Sequence, residues 1–550
     1  MNQEPTTAKF NVSPEGRGTH RTITEAIAAA SPGDTIRIQS GVYEEVLILE
    51  KPVTLIGDGD GFVLIHHPNF TAIKVRQTEV VLENIALGAC EAQISLAADG
   101  AKVRLSNCVV APTRQLREMR ASITTVISQS KATSVEPPVS AAEKESVLNA
   151  ISLMNGAVVA FEGSVFSNVQ TDAINSQMAV KNCTLVTSQI LVHEKALLSV
   201  DECRFDCGEL SPVIDSWAES KVILCHAQFL GIAGTAIQCE VTALSADNCV
   251  FKGTFSTNEY QVTQEPLPAN TYWMEDCNLP TDLRFMQKEL YSGIEEKNDS
   301  THSLYGRFLG MIGATDGSAE YPDYLYNPVA KKILWAYRKK YNTQAYPVGG
   351  DGLLAKAEVL APLGQEKEAF LQFFSEREEK ESQYLRVGIQ CTSDVRVKLN
   401  HTKFFNLKRA INADCSGEIS AEDCLISQNE IGIEAGRSGS IAGVGDGGAS
   451  SIKVYRTRFE QNVTGFRVYC GSASLRKLLR GDIRYCEILN NDTGLDIMGW
   501  SGTVRDCTFE KNATSITLSP FVLTSVLNCK GFGESTSFKV AQTIRRWLPF

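Results

Sequence analysis

The chain has 550 residues and few histidines, only seven, and its acids outnumber its bases, 64 to 53, for a net charge of −11. That balance excludes a nucleic-acid surface covering the whole molecule, and no nucleic-acid partner is expected. No stretch of about 18 consecutive apolar residues occurs, so no membrane-spanning helix and no membrane partner are expected. The start, Met1-Asn2-Gln3-Glu4-Pro5, lacks a basic segment leading into an apolar one. No classical signal peptide is expected there, and the setting expected from this is cytoplasmic, or export by a non-classical route. There is no P-loop, no G-x-S-x-G and no C-x-x-C pair. The histidines, including the adjacent His66-His67, show no metal-ligand spacing, because neighbours on a strand face opposite sides. No cofactor and no metal are expected.

What the sequence does hold is repetition. Most of the sixteen cysteines recur in one context, a polar residue followed by Cys beside a strand-like segment. Examples are Asn107-Cys108, Asn182-Cys183, Asn248-Cys249, Asp423-Cys424, Asp506-Cys507 and Asn528-Cys529. A thiol in each repeat is a small buried hydrophobe rather than half of a disulfide. Ser164, Cys183, Cys203, Ala227 and Cys249 open successive copies at steps of 19, 20, 24 and 22 residues. The series resumes at Thr402 and Cys424, then Thr457, Cys486, Cys507 and Cys529, the two longer steps reading as inserted loops. A second motif runs in phase, a small turn followed by an apolar strand: Thr171-Asp172-Ala173-Ile174, Arg409-Ala410-Ile411, Ile431-Gly432-Ile433, Thr464-Gly465-Phe466 and Thr493-Gly494-Leu495. Asn or Gln stands just upstream of several copies, as in Gln428-Asn429, Gln461-Asn462 and Asn490-Asn491. Asn suits a turn that needs a left-handed residue, and stacked turns would let the amides bond along the axis. A period of about 22 residues with two or three short strands is the signature of a solenoid. The L-x-x-L-x-L pattern of leucine-rich repeats is absent. The expected fold is an all-β solenoid, a right-handed parallel β-helix with an N-terminal capping helix and a mainly helical insertion.

Near the N-terminus, Thr22 to Ala30 reads as a short amphipathic helix, Thr35 to Ile38 as a strand, Ser40 to Tyr43 as a turn, Glu45 to Ile48 as a second strand and Pro52 to Gly59 as a third strand and turn. The stretch from Gly18 to Gly59, containing RTITEAIAAASPGDTIRIQSGVYEEVLILEKPVTLIGDG, resembles the opening of pectin-lyase-fold proteins. Those include pectinesterases and β-helices of the carbohydrate-binding and sugar-hydrolase type. That type also occurs in periplasmic copper-site maturation proteins and in eukaryotic F-box and adaptor proteins. The resemblance implies the fold and leaves the activity open, since enzymes and non-enzymes share this opening.

Two stretches interrupt the repeat. Residues 113–148 are rich in Ser, Thr, Glu and Lys and read as a flexible insertion. Residues 280–385 carry helical patterns, so the expected organisation is 1–112 as cap and first coils, 113–148, coils over 149–279, the helical insertion 280–385, and coils over 386–550. Within the insertion, Trp335 and Lys339 belong to a basic, aromatic cluster over 331–340 that reads first as an amphipathic helix with a solvated cationic face and second as a site for an acidic partner or a nucleic-acid strand.

Catalytic signatures are sparse. The Gln-Asp-Thr-Leu and Asp-Phe-Ile-Phe-Gly motifs of pectinesterases are absent. Of the polygalacturonase motifs, only Thr171-Asp172 resembles Asn-Thr-Asp, and at a repeat turn Asp172 reads first as a polar turn residue. Asp492 and Asp496, in NNDTGLDIMGW with Trp500, are candidates to face a groove, and Asp215 with Trp217 makes a second such group. Asp58 and Asp60 between glycines read as a turn, and Gly436 to Gly448 as a loop between coils. The leading expectation is therefore a non-catalytic binding or scaffold protein that engages another protein through a solenoid face and insertions. The alternative is a carbohydrate-active hydrolase, lyase or epimerase acting on a glycan. Its candidate catalytic residues are Asp172, Asp492 and Asp496, and its ligand-binding candidates are Trp217, Trp500, Trp335 and Lys339.

Overall fold

The computed structural model describes residues 10–58, 61–91, 93–118, 125, 127, 147–208, 210–254, 386–413, 417–437, 450–470, 479–497, 501–518, 523–531 and 539–540. Short strands dominate. They form three parallel sheets of 16, 15 and 14 strands, and within each sheet a strand generally pairs with the third one along the chain. The molecule is a right-handed parallel β-helix of about 14 turns. Each coil contributes one strand to the first sheet, such as Gln177–Lys181, one to the second, such as Thr184–Val186, and one to the third, such as Gln189–His193. By contact the chain divides into two units. The first, Met1–Thr257 with Arg386–Gly436 and Gly448–Phe550, is the solenoid. The second, Asn258–Leu385 with Arg437–Gly447, lies almost wholly outside the described residues, and so do the helical readings over 280–385, Trp335 and Lys339. No helix among the described residues is long and apolar enough to cross a membrane.

The period-2 alternation of each strand decides which side chains enter the core. In Val169–Ile174 the residues Val169, Thr171 and Ala173 point inward, leaving Gln170, Asp172 and Ile174 outside. Asp172 therefore sits in a strand and not at the repeat turn suggested by its sequence context. Similarly, Gly41–Glu44, which reads as a turn, is a strand of the second sheet, because Tyr43 is needed in the core. Inside, equivalent positions stack. Phe205, Phe229, Phe251 and Phe404 form a column with ring centroids 4.4, 4.7 and 4.8 Å apart and planes within 10° of parallel. The last step bridges the insertion: Phe251 is in register with Phe404, and Thr235 with Val387.

The corners are equally repetitive. At one corner of most coils a left-handed residue stands just before a small side chain: a Cys after Asn107, Asn182, Glu202, Asn248, Asp423, Tyr485, Asp506 and Asn528, and Ala227 after His226. The following thiols are free and mostly buried. Burial pushes Cys108 and Cys249 up to about 12, as suits inert structural thiols. Asn and Asp tolerate the left-handed region; an exposed tyrosine at φ 56° does not gain from it. Tyr485→Asn is expected to stabilise the fold by about 0.5–1 kcal/mol, read as a raised urea midpoint. At another corner the left-handed residues are Gln428, Gln461, Asn490 and Lys511, and the Asn that follows each turns its amide inward. Asn429, Asn462, Asn491 and Asn512 form a ladder in which each Nδ2 donates to the next Oδ1 at 3.0 Å.

Two helices are described among these residues. Helix α1 (Ile23–Ala29) starts with a capping box between Thr22 and Glu25. Its first amides, those of Ile23 and Thr24, also donate to Glu45 at 3.0 and 2.9 Å. Helix α2 (Thr113–Glu118) opens the segment read as flexible, and Leu116 is buried against the outer face of the second sheet. A leucine with an apolar surface beneath it is enough to order one helical turn that composition alone marks as loop.

Candidate functional site

The outward residues of the third sheet fall into a single column of registered positions. From Asp172 it runs through Leu191, Asp215, Gln238, Gln390, Asn412 and Glu434, with Arg467, Asp496 and Thr517 continuing it. A parallel column two residues further along carries Ile174, His193 and then Trp217, whose N–H donates to Val192 O at 3.0 Å. Glu240 follows, donating its N–H to Ser216 O at 2.8 Å. Rungs about 4.8 Å apart place Asp172 and Asn412 roughly 24 Å from one another along this face.

The densest part is around Trp217. His193 and Trp217 stack with centroids 4.4 Å apart and planes 12° from parallel. His193 Nε2 lies 2.6 Å from Asp172 Oδ1, so the carboxylate accepts the ring N–H. That bond fixes the imidazole, and the imidazole in turn braces the indole, which remains half-buried. Asp215 lies beside them. Its carboxyl is pushed up to about 6, first by burial and then by the negative charge of Glu240. Toward the C-terminus the face becomes an amide stretch, with Asn412 Nδ2 donating to Gln390 Oε1 at 2.9 Å.

Beyond it lies an alternating set of charges. Glu434 pairs with Arg409 and, at 3.5 Å, with Arg467; Arg467 reaches Asp496 at 3.5 Å. Arg409 and Glu434 are only 3% and 5% exposed. Burial alone would raise Glu434, but the two guanidinium groups outweigh it and hold the carboxyl below its ordinary range. The charges of this part of the column are thus paired within it, although Arg467 Nε is buried and makes no hydrogen bond.

The structure thus brings Asp172, Asp215 and Trp217 together and places Asp496 several rungs away, in an ion pair. Asp492 is exposed on the turn before its strand, its N–H donating to Asn462 O at 3.2 Å, and does not converge with Asp496. Trp500 and Asp60 lie outside the described residues. No group of three or more His, Cys, Asp or Glu side chains able to hold a metal occurs among the described residues. Sequence reasoning missed His193, Gln238, Gln390, Asn412, Glu434 and Arg467. A signal was available: most column members stand between two core residues of the same strand, as in Ile237-Gln238-Cys239, Ile389-Gln390-Cys391, Ile411-Asn412-Ala413 and Ile433-Glu434-Ala435.

No protein-family model matches the chain, and no curated protein matches it. Solved structures do. Tailspike protein 3 of bacteriophage CBA120 is 9% identical over 92% of this chain with a TM-score of 0.34, and this chain spans 58% of the tailspike's length. A mannuronic acid specific polysaccharide family 6 lyase from human gut microbiota is 9% identical over 92% of this chain and 80% of its own, with a TM-score of 0.31. PfbA, a surface adhesin of Streptococcus pneumoniae, is 10% identical over 94% of this chain and 87% of its own, at 0.29. Identities of this size concern architecture and no residue of the site. The parallel β-helix is read from this chain's own strand pairing.

Proposed function

We propose that the outer face of the third sheet, from Asp172 to Asn412, binds a carbohydrate chain. The observation that supports this most is the half-exposed Trp217, held flat against His193 at 4.4 Å, with Asp215 two residues before it in the chain and Asp172 bonded to that histidine. Sugars present apolar C–H faces that pack on an aromatic ring, and closely spaced hydroxyls that both donate and accept. Carboxylates and amides in a straight row meet the second need, and Gln238, Gln390 and Asn412 continue that row for an extended ligand. The leading expectation from sequence, a scaffold that engages a protein through a solenoid face and insertions, has its insertion 280–385 outside the described residues, whereas this face offers chemistry fitted to a glycan.

The test is a polysaccharide array followed by affinity electrophoresis on the best ligand. Trp217→Ala is expected to weaken binding at least tenfold, consistent with the loss of about 1.4 kcal/mol or more. Unchanged affinity in that variant would overturn the reading.

A second reading, cleavage of the bound chain, is favoured by one observation, the raised Asp215 carboxyl near 6. A carboxyl that keeps its proton near neutrality is a competent general acid. Asp172 lies two rungs away, roughly 10 Å between α-carbons, near the roughly 6.5–9.5 Å carboxyl spacing of inverting glycosidases. Product analysis by mass spectrometry would then show cleavage that is lost as pH rises through about 6 and absent in Asp215→Asn.

A further inference from the structure

The second buried titratable cluster lies on a different sheet. His66 ends the strand Val63–His66 of the second sheet and is 2% exposed. Strand alternation sends Tyr43, Val63 and Ile65 into the core, so Leu64 and His66 face outward, onto a satellite apolar cluster of Leu64, Ala86, Val109, Ala111, Val165 and Leu116. Helix α2 lies over this cluster and is tied to it at three points. Thr113 Oγ1 donates to Ala89 O at 3.0 Å, Gln115 Nε2 donates to Ser167 Oγ at 3.0 Å, and Arg117 Nη2 is 3.0 Å from His66 Nε2. Gly88 makes the fit possible, since a Cβ there would lie 2.5 Å from Thr113 Oγ1 and 2.9 Å from His66 Cβ.

The third tie has a direction. A guanidinium only donates, so His66 Nε2 must be the acceptor, and the ring proton must sit on Nδ1. That Nδ1 is buried with no hydrogen-bond partner. The tie therefore holds only while the imidazole is neutral: a second proton would go onto Nε2, removing the acceptor and setting one cation against another in a buried place. We propose that Arg117 and His66 form an acid-released latch that holds α2 on the second sheet near neutral pH and lets it go when His66 is protonated. The charged groups around the ring are Arg117 on α2, His67 beside it and Glu44 on the neighbouring strand, in register with His66. Arg114 and Glu118 of α2 pair with each other at 3.5 Å on the exposed side of the helix. Burial, Arg117 and His67 lower the His66 value, while Glu44 opposes them.

The sign follows. A histidine whose folded value is lowered stabilises the closed state above its ordinary value near 6.5 and loses that contribution as pH falls toward the lowered one. Hydrogen exchange on the full chain, corrected for intrinsic rates, reads this locally. Amides of 113–118 are expected to lose protection about tenfold per pH unit over that interval while the core strands hold. His66→Gln offers an amide oxygen to Arg117 and does not titrate, so the slope should flatten. Arg117→Met keeps the packing stem but removes the donor and the cation facing His66, so the closed-state value moves up toward about 6.5, and the acid-dependent loss should end at a higher pH and be smaller in total. An unchanged slope in His66→Gln, or an unmoved midpoint in Arg117→Met, would sink the latch.

Discussion

Replacement of Asn462 by leucine is expected to destabilise the chain by about 3–6 kcal/mol, because it strands several buried polar groups at once. Asn462 is 2% exposed. Its Oδ1 accepts from the Asn429 backbone N–H and from Asn429 Nδ2, both at 3.0 Å. Its Nδ2 donates to Ile426 O at 2.9 Å and to Asn491 Oδ1 at 3.0 Å. Leucine is close in volume, so the cost is polar and not steric. The Asn429 N–H is a backbone donor in a buried corner to which a leucine offers no acceptor, and the Ile426 carbonyl loses its amide donor. Each orphaned group costs about 1–3 kcal/mol. Asn512, at the half-buried end of the same ladder, is the control. It makes the same pattern of bonds, donating to Ile488 O at 2.7 Å, but water reaches it. Asn512→Leu should therefore cost about 1–2 kcal/mol. Urea unfolding measures both, and equal losses would show that burial is not what makes the ladder strong.

Glu434→Gln is the second substitution with a large expected effect, about 3–5 kcal/mol. The change keeps shape and removes one charge. It leaves Arg409, 3% exposed, without its carboxylate, and weakens the 3.5 Å pair with Arg467. The loss measures the negative charge removed from between two guanidinium groups more than any net gain from the ion pair itself. It should depend on pH. Arg409 and Arg467 hold Glu434 below the ordinary carboxylate value of about 4.5. Its contribution is thus present above that value and disappears as pH falls through the lower folded value. Wild type and variant should differ most near pH 7 and converge in acid. A gap that is constant from pH 7 to 3 would assign the loss to shape. A double-mutant cycle with Arg409→Gln isolates the pair, and a coupling near zero would contradict the geometry.

The repeat was legible for simple reasons. Each coil must present the same apolar positions to the coils above and below, so Cys183, Cys203 and Cys249, or Phe229 and Phe251, recur with nearly constant spacing. A corner that needs a left-handed backbone selects Asn and Asp, which is why Asn107, Asn182 and Asp423 mark turns without any structure. Where the corner tolerated Glu202 or Tyr485, the mark faded and only the following Cys revealed it; at His226 the follower is Ala227 and only the spacing did. The amide ladder was foreseen, but its left-handed residue precedes the ladder Asn instead of being the same one. At Gly41–Glu44 the glycine suggested a turn, yet neighbouring strands had already set the register and demanded Tyr43 inside.

The candidate site was half visible. Trp217 and Asp215 stand close in sequence, and Asp172 sits in a motif-like context. His193 carries no local signal at all, since its value comes from lying one rung from Trp217 and diagonal to Asp172. The sequence by itself determined the class of fold, the corner chemistry and the inside-outside pattern, because these rest on periods of two residues and of about 22 that neighbours along the chain express. The tertiary structure alone decided which outward side chains share a face, which charges are buried, and that α2 rests on the second sheet. Residues some 20 or more positions apart become neighbours only when coils stack, and only then do charge, burial and ring contact have partners to act on.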